Sequence, residues 1–403
     1  MINLFWNMFQ GIYTFFVANL ETSLIRILLI LVGLGLIYLA HKGILDPLIL
    51  IPMGMGMVAV NAGMLLLEGG KIGTLFLSPL VSDPTELMNI LQIDFLQPIY
   101  TFTFSNGLIA CLIFMGIGAI TDINFLMAKP MSSMLLAVGA ELGTLFTLPI
   151  AMLWGFNLKE AAAIAMVGGA DGPMVLYTSL LLAKHLFVPI TVIAYVYLSL
   201  TYVGYPYLIR LLIPKSMRGV AMNPREIPEV PAVEKFTFSV VAMLVLSLLF
   251  PVAAPLIASF FVGVAVKEMD IKRFREFLEG PLLYGSTFFL GLILGTLFSV
   301  EIITDVTVLK LLVLGMVALL LSGIGGLLAG LLYYKLSKGK VNPLIGIAAV
   351  SCIPTCAKIA QKEAFKANKF AMILPFAMGP NVAGVITTAI ITGIYVSAIP
   401  LLS

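Results

Sequence analysis

Three short stretches hold residues that could do chemistry, and each lies inside an apolar segment. "VGGADGPMVLYT" (167–178) sets Asp171 between Gly168-Gly169 and Gly172-Pro173. "NPLIGIAAVSCIPTCAK" (342–358) carries Asn342, Gly346 and Ser351 ahead of Pro354, and ends on Lys358. "AMGPNVAGV" (377–385) carries Asn381 beside Gly379-Pro380. An aspartate at the centre of a bilayer costs about 2.5–3.5 kcal/mol, and about eleven mostly apolar residues flank Asp171 on each side. A carboxylate resting at headgroup level fits that setting poorly; a functional site fits it well. The glycines and prolines interrupt their helices and free backbone carbonyls and amides. Such backbone is tolerated at membrane depth only where it lines a cavity or is covered by protein. The Asp171 carboxylate, the freed carbonyls of Gly168 and Gly379, and the oxygens of Ser351 and Asn381 make a hard-oxygen set suited to an alkali cation. Half-helix N-termini nearby would suit an anionic substrate group.

Each residue has a plainer alternative. The Ser351 hydroxyl can bond back to its own helix. Tyr195 and Tyr197, in the segment after Asp171, can be core aromatics. Asn381 is harder to set aside, because an amide in mid-span needs a partner. Asp122 and Glu141 rank lower, being nearer span ends or faces that water could reach.

The elements that must position these residues are membrane helices. The chain has 403 residues, of which 61% are hydrophobic and 11% charged. Soluble domains carry about 25% charged residues. The fold class is therefore an all-α polytopic membrane protein with about ten to eleven membrane segments. A net charge of +3 is too small to imply nucleic acid. Cys111, Cys352 and Cys356 all fall in apolar segments and read as small core residues. With only His41 and His185 in the chain, no transition metal is expected. The aromatic start, residues 1–21, lacks a basic n-region and reads as an interfacial helix, with no cleavable signal peptide.

Uninterrupted spans are expected at 22–41, 44–66, 105–121, 131–153, 186–213, 236–258, 283–300, 308–333 and 370–400. Segments 159–184 and 342–364 are apolar but broken. Loop 67–99 is acidic and belongs outside; loops 267–279 and 335–340 are basic and belong inside. The order span, span, broken segment, span occurs twice, in 105–213 and in 283–403. If one set enters from outside and the other from inside, they are inverted repeats whose breaks meet near the midplane. The chain then divides into 1–21, 22–104, 105–213, a linker with spans at 214–282, and 283–403. Charge leaves loop 214–235 undecided: it lies outside if 159–184 crosses the membrane, and inside if 159–184 is a re-entrant hairpin.

From about residue 100 onward the sequence resembles the membrane beta subunits of sodium-pumping biotin-dependent decarboxylases, which act on oxaloacetate, methylmalonyl-CoA, glutaconyl-CoA or malonate. The carriers of the resemblance are "LIFMGIGAITD" (112–122), "GGADGP" (168–173), "AYVY" (194–197), "NPLIGIAAVS" (342–351) and "MGPNVAGVI" (378–386). The resemblance implies a subunit that decarboxylates carboxybiotin and couples release of carbon dioxide to sodium export with consumption of a proton. It implies sodium as the transported ion and carboxybiotin delivered by partners: a carboxyltransferase (alpha) subunit, a biotin carrier protein and a small gamma/delta-type membrane subunit. It further implies a homo-oligomer in the inner (plasma) membrane. Asp171 matches the family's essential aspartate and Tyr197 the tyrosine tied to proton delivery. Asn342, Gly346 and Ser351 match the polar residues of one conserved region, and Asn381 the asparagine of the last motif. Two departures stand out: Lys358 occupies the place of a common arginine, and "GVITTA" (384–389) replaces "GVIGSA". A stand-alone sodium-coupled transporter would share the broken helices, and a channel or scaffold without chemistry is the remaining alternative.

Overall fold

The computed structural model describes residues 8–64, 95–223, 227–298 and 306–402. Most of the acidic loop expected at 67–99 lies outside the described residues. All regular structure among the described residues is helical. In chain order the principal helices are α1 (Gln10–Val17), α2 (Leu20–His41), α3 (Pro47–Ala62), α4 (Leu108–Ile120), α5 (Pro130–Ala140), α6 (Leu142–Leu153), α7 (Leu158–Ala165), α8 (Gly172–Leu182), α9 (Phe187–Leu212), α10 (Ala232–Leu249), α11 (Ala254–Glu268), α12 (Leu283–Thr296), α13 (Val306–Leu336), α14 (Ile345–Ala348), α15 (Thr355–Ala367) and α16 (Leu374–Leu402). Eight spans among the described residues are long and apolar enough to cross a membrane, or nine if the bent pair Gln97–Phe104 and Leu108–Ile120 counts as one. The chain is a multi-pass membrane protein. Counting α3 and the two broken segments as full spans gave the larger expected number.

The helices form two compact units, residues 1–109 with 284–310 and residues 110–283 with 311–403. In the first, α2 and α3 pack side by side, and the buried Arg26 of α2 ties α1 down. Its Nε donates to the Asn61 carbonyl and its Nη1 to Thr14 Oγ1, both at 3.1 Å, while the guanidinium lies 3.8 Å from the Phe15 ring centroid. All three sequence stretches that carry chemistry fall in the second unit.

There the two broken segments are re-entrant hairpins. The first begins with a capping box, in which Asn157 Oδ1 accepts the Glu160 amide at 3.0 Å and Glu160 Oε2 accepts the Asn157 amide at 2.9 Å. At the far end of the segment, His185 Nε2 pairs with Glu160 Oε1 at 2.8 Å. Start and finish therefore share one face, and 158–182 enters and leaves on the same side. Next, α9 runs for 26 residues, roughly 39 Å at about 1.5 Å per residue, to the opposite face. Asn342 Nδ2 donates there to the carbonyls of Arg218 and Val220, each at 2.8 Å, and Asn368 Nδ2 donates to that of Gly219 at 2.8 Å. Both ends of the second broken segment thus meet one short stretch, so 342–368 is a hairpin entering from the other side.

The same bonds decide the side of loop 214–235. Asn124 Nδ2 donates to Pro228 O at 3.0 Å and Asn124 Oδ1 accepts the Val230 amide at 2.8 Å, while Lys267 Nζ reaches Thr121 O at 2.7 Å. The loop therefore shares a face with 121–124, 267, 342 and 368. Lys215, Lys267, Lys335, Lys338, Lys366 and Lys369 crowd this end, against Lys159 and Lys184 at the other. The positive-inside rule assigns the basic face to the cytoplasm.

One expected element is corrected. The single span at 236–258 is instead two antiparallel helices, α10 and α11, joined through Phe250 and Pro251–Ala253. Lys235 and Glu268, at their two outer ends, lie 3.6 Å apart. Pro251 causes the break: a residue before proline is pushed out of the helical region, and Phe250 has φ −130° and ψ 68°. The extra span and the hairpin compensate in parity, so loop 267–279 remains on the basic face.

In a background lacking the three native cysteines, single cysteines at positions 159 and 185 should react with an impermeant maleimide from the same side of the membrane. Cysteines at 217 and 369 should react only from the opposite side. Labelling of 159 and 185 from different sides would show that 158–182 crosses.

Candidate functional site

The first hairpin turns at its tip through a single 3-10 turn, Met166–Gly169, followed by Ala170 in the left-handed region (φ 55°, ψ 32°). A non-glycine residue there costs roughly 1–2 kcal/mol, and the turn persists because everything around it is packed. Asp171 is extended and caps α8, its Oδ1 accepting the Met174 amide at 3.3 Å. The carboxylate is 5% exposed and sits at the positive end of a helix, where negative charge is favoured.

The second hairpin brings its own break, Ala349–Pro354, against this tip. Ser351 Oγ donates to the Gly169 carbonyl, and Ser322 Oγ of α13 donates to the Gly168 carbonyl at 2.5 Å. Asn381 of α16 donates both amide protons to the second hairpin, to Ala348 O at 2.7 Å and Val350 O at 2.9 Å. Those two bonds fix the amide's orientation and leave Asn381 Oδ1 buried with no donor among the described residues. A Cβ on Gly384 would collide with the Ala349 carbonyl, so that glycine is what lets α16 approach the break.

Around the tips stand Glu141, Thr144, Thr388 and Tyr195. Glu141 lies mid-membrane between α5 and α6, in a span that runs Pro130–Leu153, and it is 3% exposed. Its Oε2 accepts from Thr144 Oγ1 at 2.6 Å and its Oε1 accepts from Thr388 Oγ1. Thr388 Oγ1 in turn lies 3.1 Å from Ser351 Oγ. The ring and hydroxyl of Tyr195 press on Gly172, where a Cβ would overlap them, and the buried hydroxyl has no hydrogen-bond partner among the described residues.

The sequence-derived residues therefore separate into two groups. Asp171, Ser351, Asn381 and the carbonyl side of Gly168 meet where the hairpin tips touch. Asn342, Gly346, Gly379, Tyr197 and Lys358 are engaged elsewhere. Asn342 spends both amide protons on the 218–220 stretch, and its Oδ1 accepts the Leu344 amide at 3.0 Å. Gly346 packs against Gly326 and Gly330, and Gly379 against Phe125. Tyr197 donates to Leu312 O at 2.6 Å and packs on Gly315. Two residues on from Tyr195, it faces away, since successive helix residues turn by about 100°. Lys358 is exposed on α15, the limb that leads back to the basic face. Asp122 is exposed and caps Asn124. Glu141 is buried in mid-span, not near a span end or a face that water reaches; its place between two apolar runs is the sequence signal for that burial. Among the described residues no group of three His, Cys, Asp or Glu side chains could hold a metal ion.

The family model for the Na+-transporting oxaloacetate decarboxylase beta subunit matches residues 25–399. The chain belongs to that family. It is 54% identical over 397 residues to the carboxybiotin decarboxylase of Malonomonas rubra, covering 98% of this chain and 99% of the relative. It is 35% identical over 367 residues to the methylmalonyl-CoA decarboxylase subunit beta of Veillonella parvula, and 34% identical over 369 residues to the glutaconyl-CoA decarboxylase subunit beta of Acidaminococcus fermentans, with 91% of both chains covered in each case. The chain is thus a beta subunit of the sodium-transporting, biotin-dependent decarboxylases, a family whose members are one chain of a multi-subunit enzyme. The four motifs quoted from 168–386 are the segments that build the two hairpin tips and the helices around them.

The two asparagines provide a direct test of this division. Asn342→Ala should lower thermal stability in detergent, because it opens three hydrogen bonds worth about 1 kcal/mol each. The sodium concentration for half-maximal activity should not move. Asn381→Ala should raise that concentration about tenfold or more, one ion contact being worth about 1.4 kcal/mol. The reverse pattern would put the ion at the mouth of the second hairpin.

Proposed function

We propose that this subunit decarboxylates carboxybiotin at the hairpin tips and uses the release of carbon dioxide to move sodium outward. The observation that carries the proposal is the meeting of two helix breaks from opposite faces around one carboxylate, Asp171, with the Asn381 Oδ1 acceptor left open beside them. Sodium is the transported substrate here. Asp171 supplies the fixed negative charge, and Asn381 Oδ1, Ser351 Oγ and the Gly168–Gly169 carbonyls supply neutral oxygens, a hard-donor set suited to an alkali ion.

Carboxybiotin enters from the basic face, along the limb of the second hairpin. Lys358, one turn beyond the break and exposed, attracts its carboxylate, as a cation at a cavity mouth steers anions. Loss of carbon dioxide is favoured where the carboxylate leaves water. The bond between the ureido nitrogen and the carboxyl carbon breaks, its electron pair stays on nitrogen, and one proton must be supplied to that nitrogen. Tyr195, with its open hydroxyl beside Gly172 and Asp171, stands where a relay can deliver that proton. Tyr197, which the family resemblance ties to proton delivery, is held on Leu312 and braces α9 against α13 in this arrangement. Moving one sodium ion against 100 mV costs about 2.3 kcal/mol, so the ion site and the reacting carboxylate must be coupled; otherwise the gradient leaks back.

The carboxyltransferase, biotin carrier and small membrane subunit belong to this reading as partners, as do a homo-oligomeric assembly and a plasma-membrane location. The same hairpins would suit a stand-alone sodium-coupled transporter, and family membership favours the decarboxylase.

The test is reconstitution. Liposomes holding the purified subunit should take up sodium on addition of free carboxybiotin and release carbon dioxide in step. Asp171→Asn should abolish both. Carbon dioxide release at the normal rate without sodium uptake would separate the chemistry from the ion site.

A further inference from the structure

We propose that Glu141 is a positioning residue that keeps the lone pairs of Ser351 open for the ion, by drawing the Thr388 hydroxyl proton away from it. The inference rests on Ser351 being an ion ligand, as proposed above. It follows from counting protons in one chain of hydroxyls. Thr388 has a single hydroxyl proton and three acceptors near it. Glu141 Oε1 takes it in a short contact, Gly384 O lies at 2.9 Å and Ser351 Oγ at 3.1 Å. The proposal takes Glu141 in its ionised form, in which the carboxylate accepts the stronger bond and the Thr388 proton goes to it. An ionised carboxylate has nothing to donate back, and Thr144 caps its other oxygen at 2.6 Å. The Glu141 carboxylate is thereby held in place by hydroxyls on two different helices.

Ser351 also has one hydroxyl proton, and it goes to the Gly169 carbonyl. With the Thr388 proton committed to Glu141, no donor among the described residues points at Ser351 Oγ. Its lone pairs stay free beside Asp171 and Asn381. Without Glu141, the Thr388 hydroxyl can rotate about its Cβ–Oγ1 bond and donate to Ser351 instead. A hydroxyl that already accepts a hydrogen bond is a poorer cation ligand, because a lone pair and the space for the ion are both taken.

The experiment is a double-mutant cycle on the complete decarboxylase complex, read by sodium half-saturation of decarboxylation. Sodium-induced thermal stabilisation of the purified complex is the second readout and needs no turnover. Glu141→Gln replaces one acceptor by an NH2 donor and frees the Thr388 proton; half-saturating sodium should rise about tenfold, the equivalent of about 1.4 kcal/mol. Thr388→Val removes the competing proton altogether. Alone it should lower the melting temperature and leave half-saturating sodium within a factor of about three, and in the Glu141→Gln background it should restore sodium affinity toward wild type. A double variant as weak for sodium as Glu141→Gln alone, or weaker, overturns the inference and makes Glu141 a direct ligand or a packing residue. A large rise with Thr388→Val alone also overturns it, and this variant stands independently if Glu141→Gln does not fold. Ser351→Ala separates the two levels. If it leaves sodium dependence unchanged, the assignment of Ser351 as ligand fails; if it raises half-saturating sodium while Glu141→Gln does not, only the present inference fails.

Discussion

A helix that breaks inside a bilayer strands carbonyls that water cannot reach, and each unsatisfied group costs several kcal/mol. The second unit meets that constraint by making the breaks satisfy one another. Gly168 and Gly169 at the first tip take hydroxyl protons from Ser322 and Ser351. Ala348 and Val350 at the second take both amide protons of Asn381. At the tips themselves Asn381 Oδ1 and the Tyr195 hydroxyl stay buried without a partner among the described residues, beside the carboxylate of Asp171, whose Oδ1 caps α8. These are the atoms that the proposed ion site and proton relay use.

The ends of the hairpins are held as firmly as the tips. Glu363 on α15 is fully buried and accepts from Arg210 Nε and Nη2, at 2.8 and 2.9 Å, with Lys366 at 2.6 Å and Arg218 at 3.7 Å. The clasp joins the cytoplasmic mouth of the second hairpin to the end of α9, while Glu160 and His185 close the mouth of the first. Each re-entrant segment is therefore pinned at its mouth through a glutamate and at its tip by hydroxyls and amides. That division follows from solvent: ion pairs are cheap near the surface, and neutral hydrogen bonds are the affordable bond at depth.

The arrangement also accounts for the glycine content of the motifs. Gly172 is needed because Tyr195 lies on it, and Gly384 because the Ala349 carbonyl does. Neither glycine touches an ion in this scheme. Gly346 and Gly379, which the sequence placed with the binding residues, belong to the same class: they bring helices close enough for other residues to act.

Much was legible in the sequence. Composition set the all-helical membrane class, because so few charges cannot cover a soluble surface of this size. Asp171 stood out because a carboxylate deep in an apolar run has few innocent explanations, and Ser351 and Asn381 stood out by their places beside proline breaks. Tertiary structure decided the rest. Asn342 and Asn381 look alike in sequence, and only their partners separate a brace from an open acceptor. Tyr195 and Tyr197 differ by two positions, and only the rotation of α9 shows which one faces Asp171. The hairpins could not be told from crossing spans, because a broken apolar segment of about 25 residues can do either; the Glu160–His185 and Asn342–Arg218 contacts are what settle it. For Glu141 the sequence shows the burial but not the partners. Hydropathy reports how far a residue lies from water along one helix, whereas its partners, Thr144 and Thr388, are brought to it by α6 and α16 across 3 and 247 positions of sequence.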